Sequence, residues 1–418
     1  MGKPGVAREA AVRLLDQVLQ EGRTLFDALA ELSALAPADR ARAQRLATTV
    51  LRHLDRCDTL LSERLRKWPP LPVMNVLRLA VVELCVDRAA RHGVVDGAVT
   101  LARQRGRSGK FSGFVNAVLR ALADTAPEKW RALPPSRISA GLRARLVTVY
   151  GANAVAAMER GQARIPPVDL TLKPDISADG LKSRALANGS LRLTDPGRIS
   201  ALPGYETGDW WVQDAAAAFP VMLLDPRPGE TALDLCAAPG GKTLQLAAAG
   251  AAVTAVDISA GRLTRLNENL ARTGLSAQTV VCDALQFNGP LFDLILLDTP
   301  CSATGTLRRH PDLSHAKTLK KLDSLIHLQS RMLDRALTFL KPDGRLVFCT
   351  CSLLPEEGEE QIEAALKRHP GLRVDDATAP GLDPSWRDSQ GGYRLRPDYW
   401  SEIGGLDGFY IARVSFVR

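Results

Sequence analysis

Five short apolar runs in the second half of the chain constrain the fold most: TALDLCAA (231–238), AVTAVDIS (252–259), TVVCDA (279–284), FDLILLDTP (292–300) and GRLVFCTCS (344–352). Each is rich in Val, Ile and Leu, as a strand buried on both faces requires. Helical stretches separate them, so the pattern predicts an α/β domain with a mostly parallel, doubly wound sheet. The closing GFYIARVSF (408–416) alternates apolar and polar residues and suits an added antiparallel strand.

Upstream the period changes. Ala11, Leu14, Leu15, Val18 and Leu19 fall at i, i+3, i+4, i+7 and i+8 of a helix, and residues 41–66, 74–89, 94–104 and 113–122 carry further helical stripes. KWPPLP (67–72) and RQRGRSGK (103–110) punctuate them, and TAPEKW, LPPSR and RIPPVDL mark a connector. The expected organisation is an all-helical domain over 1–125, a mixed α/β linker subdomain over 126–218 and the sheet domain over 219–418.

Charge follows the same division. The formal charge is +8, yet residues 1–140 hold 23 Lys/Arg against 14 Asp/Glu, and the remainder holds 31 against 32. A clustered basic surface gains free energy by displacing counterions from phosphates, which points to a polyanionic partner. A well-solvated helical surface would give the same count. There is no run of 18 apolar residues, and MGKPGVAREA lacks a signal-peptide pattern, so a cytoplasmic chain without a membrane span is expected. Seven cysteines (Cys57, Cys85, Cys236, Cys282, Cys301, Cys349, Cys351) are odd in number and widely spread; they read as reduced thiols, not a disulfide framework.

The first strand of the sheet domain ends in Asp234-Leu-Cys-Ala-Ala-Pro-Gly-Gly-Lys-Thr243, a glycine turn at a helix N-terminus where backbone can approach a ligand. A phosphate-binding loop would need glycine where Cys236 stands, and the adjacent Gly240 and Gly241 do not supply a dinucleotide fingerprint. Asp257, ending the second strand, is placed to accept from a ribose diol, and Asp283, ending the third, from an adenine amino group. These features favour an adenosine ligand without a demanding phosphate site, a description that S-adenosylmethionine fits. Lys242 either contacts a ligand or is a solvated first-turn lysine.

The fourth and fifth strands run into Asp298-Thr-Pro-Cys-Ser302 and Cys349-Thr-Cys-Ser352, and ligands of a doubly wound sheet bind beyond such strand ends. If the two strands are neighbours, Cys301 and Cys351 flank one substrate atom. A pyrimidine C5 attacks a methyl donor only after a nucleophile adds to C6, and a thiolate suits that role as both nucleophile and leaving group. Asp298 could hold the pyrimidine edge. Strand-end cysteines are more often small core residues, which is the reading for Cys236, Cys282 and Cys349. No His or Cys pair completes a tetrahedral metal site with Cys349 and Cys351.

Cys236-Ala-Ala-Pro-Gly-Gly-Lys-Thr243, Asp298-Thr-Pro-Cys-Ser-Ala-Thr-Gly-Thr306, Arg309-His-Pro-Asp312, Thr350-Cys-Ser-Leu-Leu-Pro-Glu-Glu357 and the pre-strand Gln213-Asp214 closely resemble the NOL1/NOP2/Sun family of RNA m5C methyltransferases. The helical N-terminus resembles a NusB-like RNA-binding domain, which places the likeness with the bacterial 16S rRNA branch. The resemblance implies a class I, Rossmann-like S-adenosylmethionine-dependent methyltransferase domain behind an all-α NusB-like bundle. It implies Cys351 as nucleophile, Cys301 as the residue that assists product release, and Asp298 beside them. The implied cofactor-binding set is Cys236, Ala237, Ala238, Pro239, Gly240, Gly241, Lys242, Asp257, Arg262, Asp283 and Asp298; the implied substrate-binding set is Lys242, Pro300, Arg309 and His310. The loop Arg103–Lys110, with Arg40, Arg42 and Arg45, is the candidate phosphate-contacting surface.

Two departures stand out. Thr299 replaces a usual alanine, and Asp169-Leu-Thr-Leu-Lys173 replaces a stretch that normally carries an RNA-contacting arginine. The expected substrate is 16S rRNA not yet fully assembled into its subunit, acted on by a monomer. A tRNA methyltransferase on the same scaffold, or a non-catalytic RNA-binding assembly factor, are the competing readings.

Overall fold

The computed structural model describes residues 5–105, 110–177, 179–316 and 320–417. The chain divides into two compact units, Met1–Ile165 with Leu307–Leu319, and Pro166–Thr306 with Lys320–Arg418.

The first unit is helical: α1 (Val6–Asp16), α2 (Leu25–Leu29), α3 (Pro37–Arg52), α4 (Leu54–Ser62), α5 (Leu71–Cys85), α6 (Arg91–Gln104), α7 (Ser112–Ala123), α8 (Ala126–Ala132) and α9 (Ala140–Gln162). The stripe that begins in α1 continues through a π-helical turn, Gln17–Glu21, which Gly22 ends in the left-handed region at φ 71°. The stretch expected as one helix over 41–66 breaks at His53, whose φ of −117° and ψ of 25° separate α3 from α4. Every residue of α5 from Val73 to Leu84 is buried, so it is the central helix, apolar nearly all round. Its polar side chains are paired: Arg78 forks onto Asp58 at 2.7 and 2.8 Å, and Glu83 accepts from Arg8 at 2.9 Å. Residues Leu307–Ala316 pack into this unit through buried polar contacts. Arg52 donates to the Arg308 carbonyl at 2.6 Å, Asp312 accepts from the Leu25 amide at 2.8 Å, and Ser314 accepts from the Ser139 amide at 2.8 Å.

The second unit opens with β1 (Asp169–Leu172), β2 (Ser183–Ala185), β3 (Leu191–Leu193) and β4 (Trp210–Val212), an antiparallel sheet in the order β2-β3-β1-β4. Asp169, one of the departures noted above, is buried in a two-pronged pair with Arg192 at 2.7 and 2.8 Å. It also accepts from the Ala215 amide at 3.1 Å, so its work here is structural.

The larger sheet follows α10 (Ala215–Leu224). Its elements are β5 (Thr231–Leu235), α11 (Gly241–Ala248), β6 (Ala252–Asp257), α12 (Ala260–Thr273), β7 (Gln278–Val281), β8 (Phe292–Asp298), α13 (Leu322–Leu337), β9 (Leu340–Thr350), α14 (Glu359–Arg368), β10 (Leu372–Val374), β11 (Tyr393–Leu395) and β12 (Phe409–Phe416). The order is β10-β12-β9-β8-β5-β6-β7, with β11 also on β12; β9-β8-β5-β6-β7 are parallel and β12 runs antiparallel to β9. All five apolar runs are strands, and the closing segment is the antiparallel addition the alternation predicted.

Alternation along the strands assigns each face of the sheet a core. Leu294, Leu296, Val347 and Cys349 pack with α10 and α11 residues such as Phe219 and Leu246. Ile295, Leu297, Leu346 and Phe348 pack with Met332 and Leu333 of α13 and Ile362 of α14. Strand order reverses between β5 and β8, the topological switch point where doubly wound sheets open a crevice at their carboxyl ends.

Candidate active site

The turn after β5 is shaped by backbone that side chains would obstruct. Cys236 has φ of 64° and Gly240 φ of 108°, and a Cβ on Gly240 would lie 2.2 Å from Leu266 Cδ1. Only glycine fits there. Gly240 caps α11, and the chain between it and β5 is tied to β6: Asp257 accepts from the Ala238 amide at 3.1 Å and from the Ser259 amide at 2.9 Å. Arg262 reaches the same carboxylate at 3.4 Å and donates to the Ala238 carbonyl. Pro239 follows Ala238 through a cis peptide bond. Asp283 accepts from the Leu285 amide at 2.9 Å, which leaves its second oxygen without a protein partner among the described residues. Gln213 braces the turn from behind, donating to Gln245 of α11 at 2.6 Å while accepting from Trp211 at 2.8 Å. Asp214 caps α10 by accepting from the Ala216 amide at 2.9 Å.

Because β8 and β9 are neighbours in register, with Asp298 opposite Cys349, the two cysteine-bearing strand ends emerge side by side. Cys301 Sγ lies 3.5 Å from Cys351 Sγ. Lys242, from the first turn of α11, donates to Asp298 Oδ2 at 2.8 Å and sits 5.3 Å from the Phe409 ring centroid. Cys349 donates to Asp298 Oδ1 at 3.5 Å, so its sulfur and that of Cys351 have separate partners. Burial works against the Lys242 ammonium, but Asp298, Cys349 and Cys351 together outweigh it and raise the lysine pKa above its ordinary value. The contact with Cys351, followed by burial, pushes the Cys301 thiol well up, so Cys301 holds its proton. Burial likewise raises Cys349 and Cys236.

A buried polar cluster that the sequence reading missed clamps the two loops together. Glu357 is fully buried and accepts from the Ser302 amide at 2.9 Å, Ser352 Oγ at 2.6 Å, Gln329 Nε2 at 3.0 Å and Ser302 Oγ. Thr304 Oγ1 accepts from the Leu353 amide at 2.9 Å. The serines each follow a cysteine, so the carboxylate fixes Cys301 and Cys351 through their chain neighbours. Gly305 is pressed against the same region: a Cβ there would lie 2.0 Å from the Gly408 carbonyl. The signal available was the repeated Cys-Ser pair and the Glu six residues after Cys351.

The second unit thus brings together Cys301, Cys351, Asp298 and Lys242, and beside them the 236–241 turn, Asp257 and Arg262. Pro300 is exposed, and its carbonyl accepts from Gln329 at 2.9 Å. Arg309 and His310 fall within Leu307–Leu319, which groups with the helical unit. The surface expected around Arg40, Arg42 and Arg45 is partly neutralised: Arg45 pairs with Asp87 at 2.8 Å and Arg42 lies 3.9 Å from Glu83. Of the loop Arg103–Lys110, residues 106–109 lie outside the described residues, and Arg105 pairs with Asp16.

Comparison with known proteins decides the family. Residues 221–415 match the model described as 16S rRNA methyltransferase RsmB/F, and residues 6–124 match the NusB family. Ribosomal RNA small subunit methyltransferase B of Sodalis glossinidius is 36% identical over 414 residues, covering 90% of this chain and 93% of that protein. The chain belongs to the RsmB/F methyltransferase family. Among solved structures, that of PH0851 matches 99% of both chains with a TM-score of 0.75 at 22% identity. The structure of NSun6 from Pyrococcus horikoshii with SFG covers 67% of this chain and 98% of its own, with a TM-score of 0.58 at 20% identity. These two likenesses show the fold alone. Among the described residues, no helix is long and apolar enough to cross a membrane.

Proposed function

We propose that this RsmB/F enzyme transfers a methyl group from S-adenosylmethionine to C5 of a cytosine in 16S rRNA through a covalent bond between Cys351 and C6. The observation that carries this reading is the pair of thiols 3.5 Å apart at the ends of adjacent parallel strands, beside the Lys242–Asp298 pair. The substrate class follows from the family and from what the relatives are named for.

The residues fit an adenosine ligand. Asp257 is buried and held by backbone amides, yet a carboxylate has about four lone-pair positions, so it retains capacity to accept from a ribose diol. The glycine turn would hold the remainder, with Asp283 toward the base. S-adenosylmethionine, when bound, supplies the electrophilic methyl that C5 takes up.

The chain's own residues do the rest. The target cytosine leaves its stack so that both faces of the ring are accessible. Cys351, as thiolate, adds to C6, and C5 gains the electron density to form the new carbon–carbon bond. Cys301, kept protonated by its neighbour and by burial, lies 3.5 Å from the Cys351 sulfur, within reach to return a proton to it on release. Lys242 neutralises Asp298, and that carboxylate orients the pyrimidine edge. After methylation the C5 proton is lost to a base and the C6–S bond breaks, with Cys301 assisting release of Cys351 and restoring the aromatic ring.

The domain reading accompanies this proposal: residues 1–125 bind RNA, 126–218 link, and 219–418 carry the chemistry. The test is transfer of labelled methyl from S-adenosylmethionine to unmodified 16S rRNA. Wild type is expected to label cytosine C5, and Cys351→Ala to lose transfer while keeping cofactor affinity. Unchanged turnover in that variant sinks the assignment.

A further inference from the structure

Of the arginines that were candidates for phosphate contact, Arg42, Arg45 and Arg105 have acidic partners; a separate group of the helical unit does not. A cleft of about 550 Å³ opens between the end of α5, the start of α6 and α8; its walls include His53, Val86, Arg88, Arg91, Trp130 and Arg131. A second cleft of about 590 Å³ continues it, sharing Arg91 and Asp124 and adding His92 and Arg120. Arg91 pairs with Asp124. Arg88, Arg120 and Arg131 are exposed and form no ion pair or side-chain hydrogen bond among the described residues. Asp124 and Asp96 are the acids that line the two clefts, so the groove carries net positive charge.

The floor adds a polar group without a partner. His53 is 8% exposed, and its Nδ1 is buried with no hydrogen-bond partner. Burial holds its pKa down to about 4, so the ring is neutral and offers one hydrogen bond. The walls are partly apolar, with Val86 38% exposed beside Pro127 and the buried Trp130. A concave basic groove with apolar walls suits a single strand, whose phosphates follow the cations while a nucleoside enters the cleft; a duplex presents a convex surface that it would not admit.

We propose that this groove of the helical unit binds a single-stranded segment of the RNA substrate, with Arg88, Arg120 and Arg131 on its phosphates and a nucleoside over His53. The proposal rests on the reading that the substrate is RNA. It moves the RNA contact from the Arg40–Arg45 face to the α5–α8 face.

The test is filter binding of full-length protein to a 16S rRNA fragment across a salt series, comparing wild type with Arg88→Gln/Arg131→Gln. Both side chains are exposed, so the melting temperature is expected to stay unchanged. Loss of two phosphate contacts should lower the magnitude of the log–log salt slope by about 1.4 and weaken binding on the order of tenfold. KM for RNA should rise while kcat at saturating RNA holds. Asp124→Asn, which removes a groove acid, should tighten binding. Unchanged affinity and slope in the double variant, with wild type binding normally, overturn the groove alone. Failure of wild type to bind or methylate RNA overturns the functional reading and this proposal with it. Loss of binding to an acidic ribosomal protein, with RNA binding intact, would make the groove a protein site and refute the proposal.

Discussion

Removing the Glu357 carboxylate should uncouple the two cysteines without disturbing the cofactor turn. In Glu357→Ala, the Ser302 and Ser352 hydroxyls retain each other at 3.2 Å, and Gln329 retains the Pro300 carbonyl at 2.9 Å. The Ser302 amide, which donated at 2.9 Å, is left buried without an acceptor. One orphaned donor plus the lost bonds to a carboxylate gives a destabilisation of about 4 kcal/mol. Glu357→Gln keeps the shape, with its oxygen facing the two N–H donors and its amide donating to the hydroxyls, so the cost falls to about 1–2 kcal/mol. The rate is more sensitive than stability, since misplacing reacting groups by about 1 Å costs on the order of 100-fold. Single-turnover methyl transfer should therefore fall about 100-fold in Glu357→Ala and far less in Glu357→Gln, which keeps the shape of the clamp. S-adenosylmethionine affinity, measured by calorimetry, should match wild type, because Asp257 and the Gly240 turn make no contact with Glu357. A folded Glu357→Ala enzyme with the wild-type single-turnover rate would refute the clamp.

Other expectations follow from the same geometry. Cys301→Ala should accumulate a covalent protein–RNA species, seen as a slow band on a denaturing gel, if Cys301 assists release; free turnover without adduct contradicts that role. Asp234 is 1% exposed with Oδ1 unpartnered, and burial pushes its pKa up to about 7. Its unfolded value is the ordinary one near 3.8, so between about pH 4 and 7 the folded chain holds one proton more than the unfolded chain. This group's contribution therefore declines as pH rises through that window, and the stability advantage of Asp234→Asn over wild type should grow across it in denaturant melts; a pH-independent difference would contradict the shift. Thr299 is 3% exposed and its hydroxyl has no partner, so Thr299→Ala relieves an unpaired polar atom and should change stability by less than about 1 kcal/mol with transfer intact. A large loss of transfer would give the hydroxyl a function.

The sheet was legible because Val, Ile and Leu runs without polar alternation leave few other folds open, and the glycine turn because a close backbone approach needs Gly240. Adjacency of Cys301 and Cys351 was conditional on strand order, which periodicity does not report; pairing of Asp298 with Cys349 decides it. Glu357 was silent because its partners Ser302 and Gln329 lie 55 and 28 residues away. A buried carboxylate and a solvated one look alike in sequence. The same blindness affected Arg45, neutralised by Asp87, and Asp169, spent on Arg192. The segment after the Cys301 motif reads as part of the sheet unit, yet Arg52 and Ser139 supply partners that draw it into the helical one.

The covalent step is tested most directly with a 16S rRNA fragment carrying 5-fluorocytidine at the target position, incubated with enzyme and S-adenosylmethionine. Fluorine at C5 cannot leave as a proton does, so addition and methylation proceed and release stops. Digestion and mass spectrometry should then find the methylated nucleotide bound through sulfur to the peptide at Cys351. A trapped nucleotide on Cys301, or efficient methylation of the natural substrate with no adduct formed on the fluorinated one, would contradict the account.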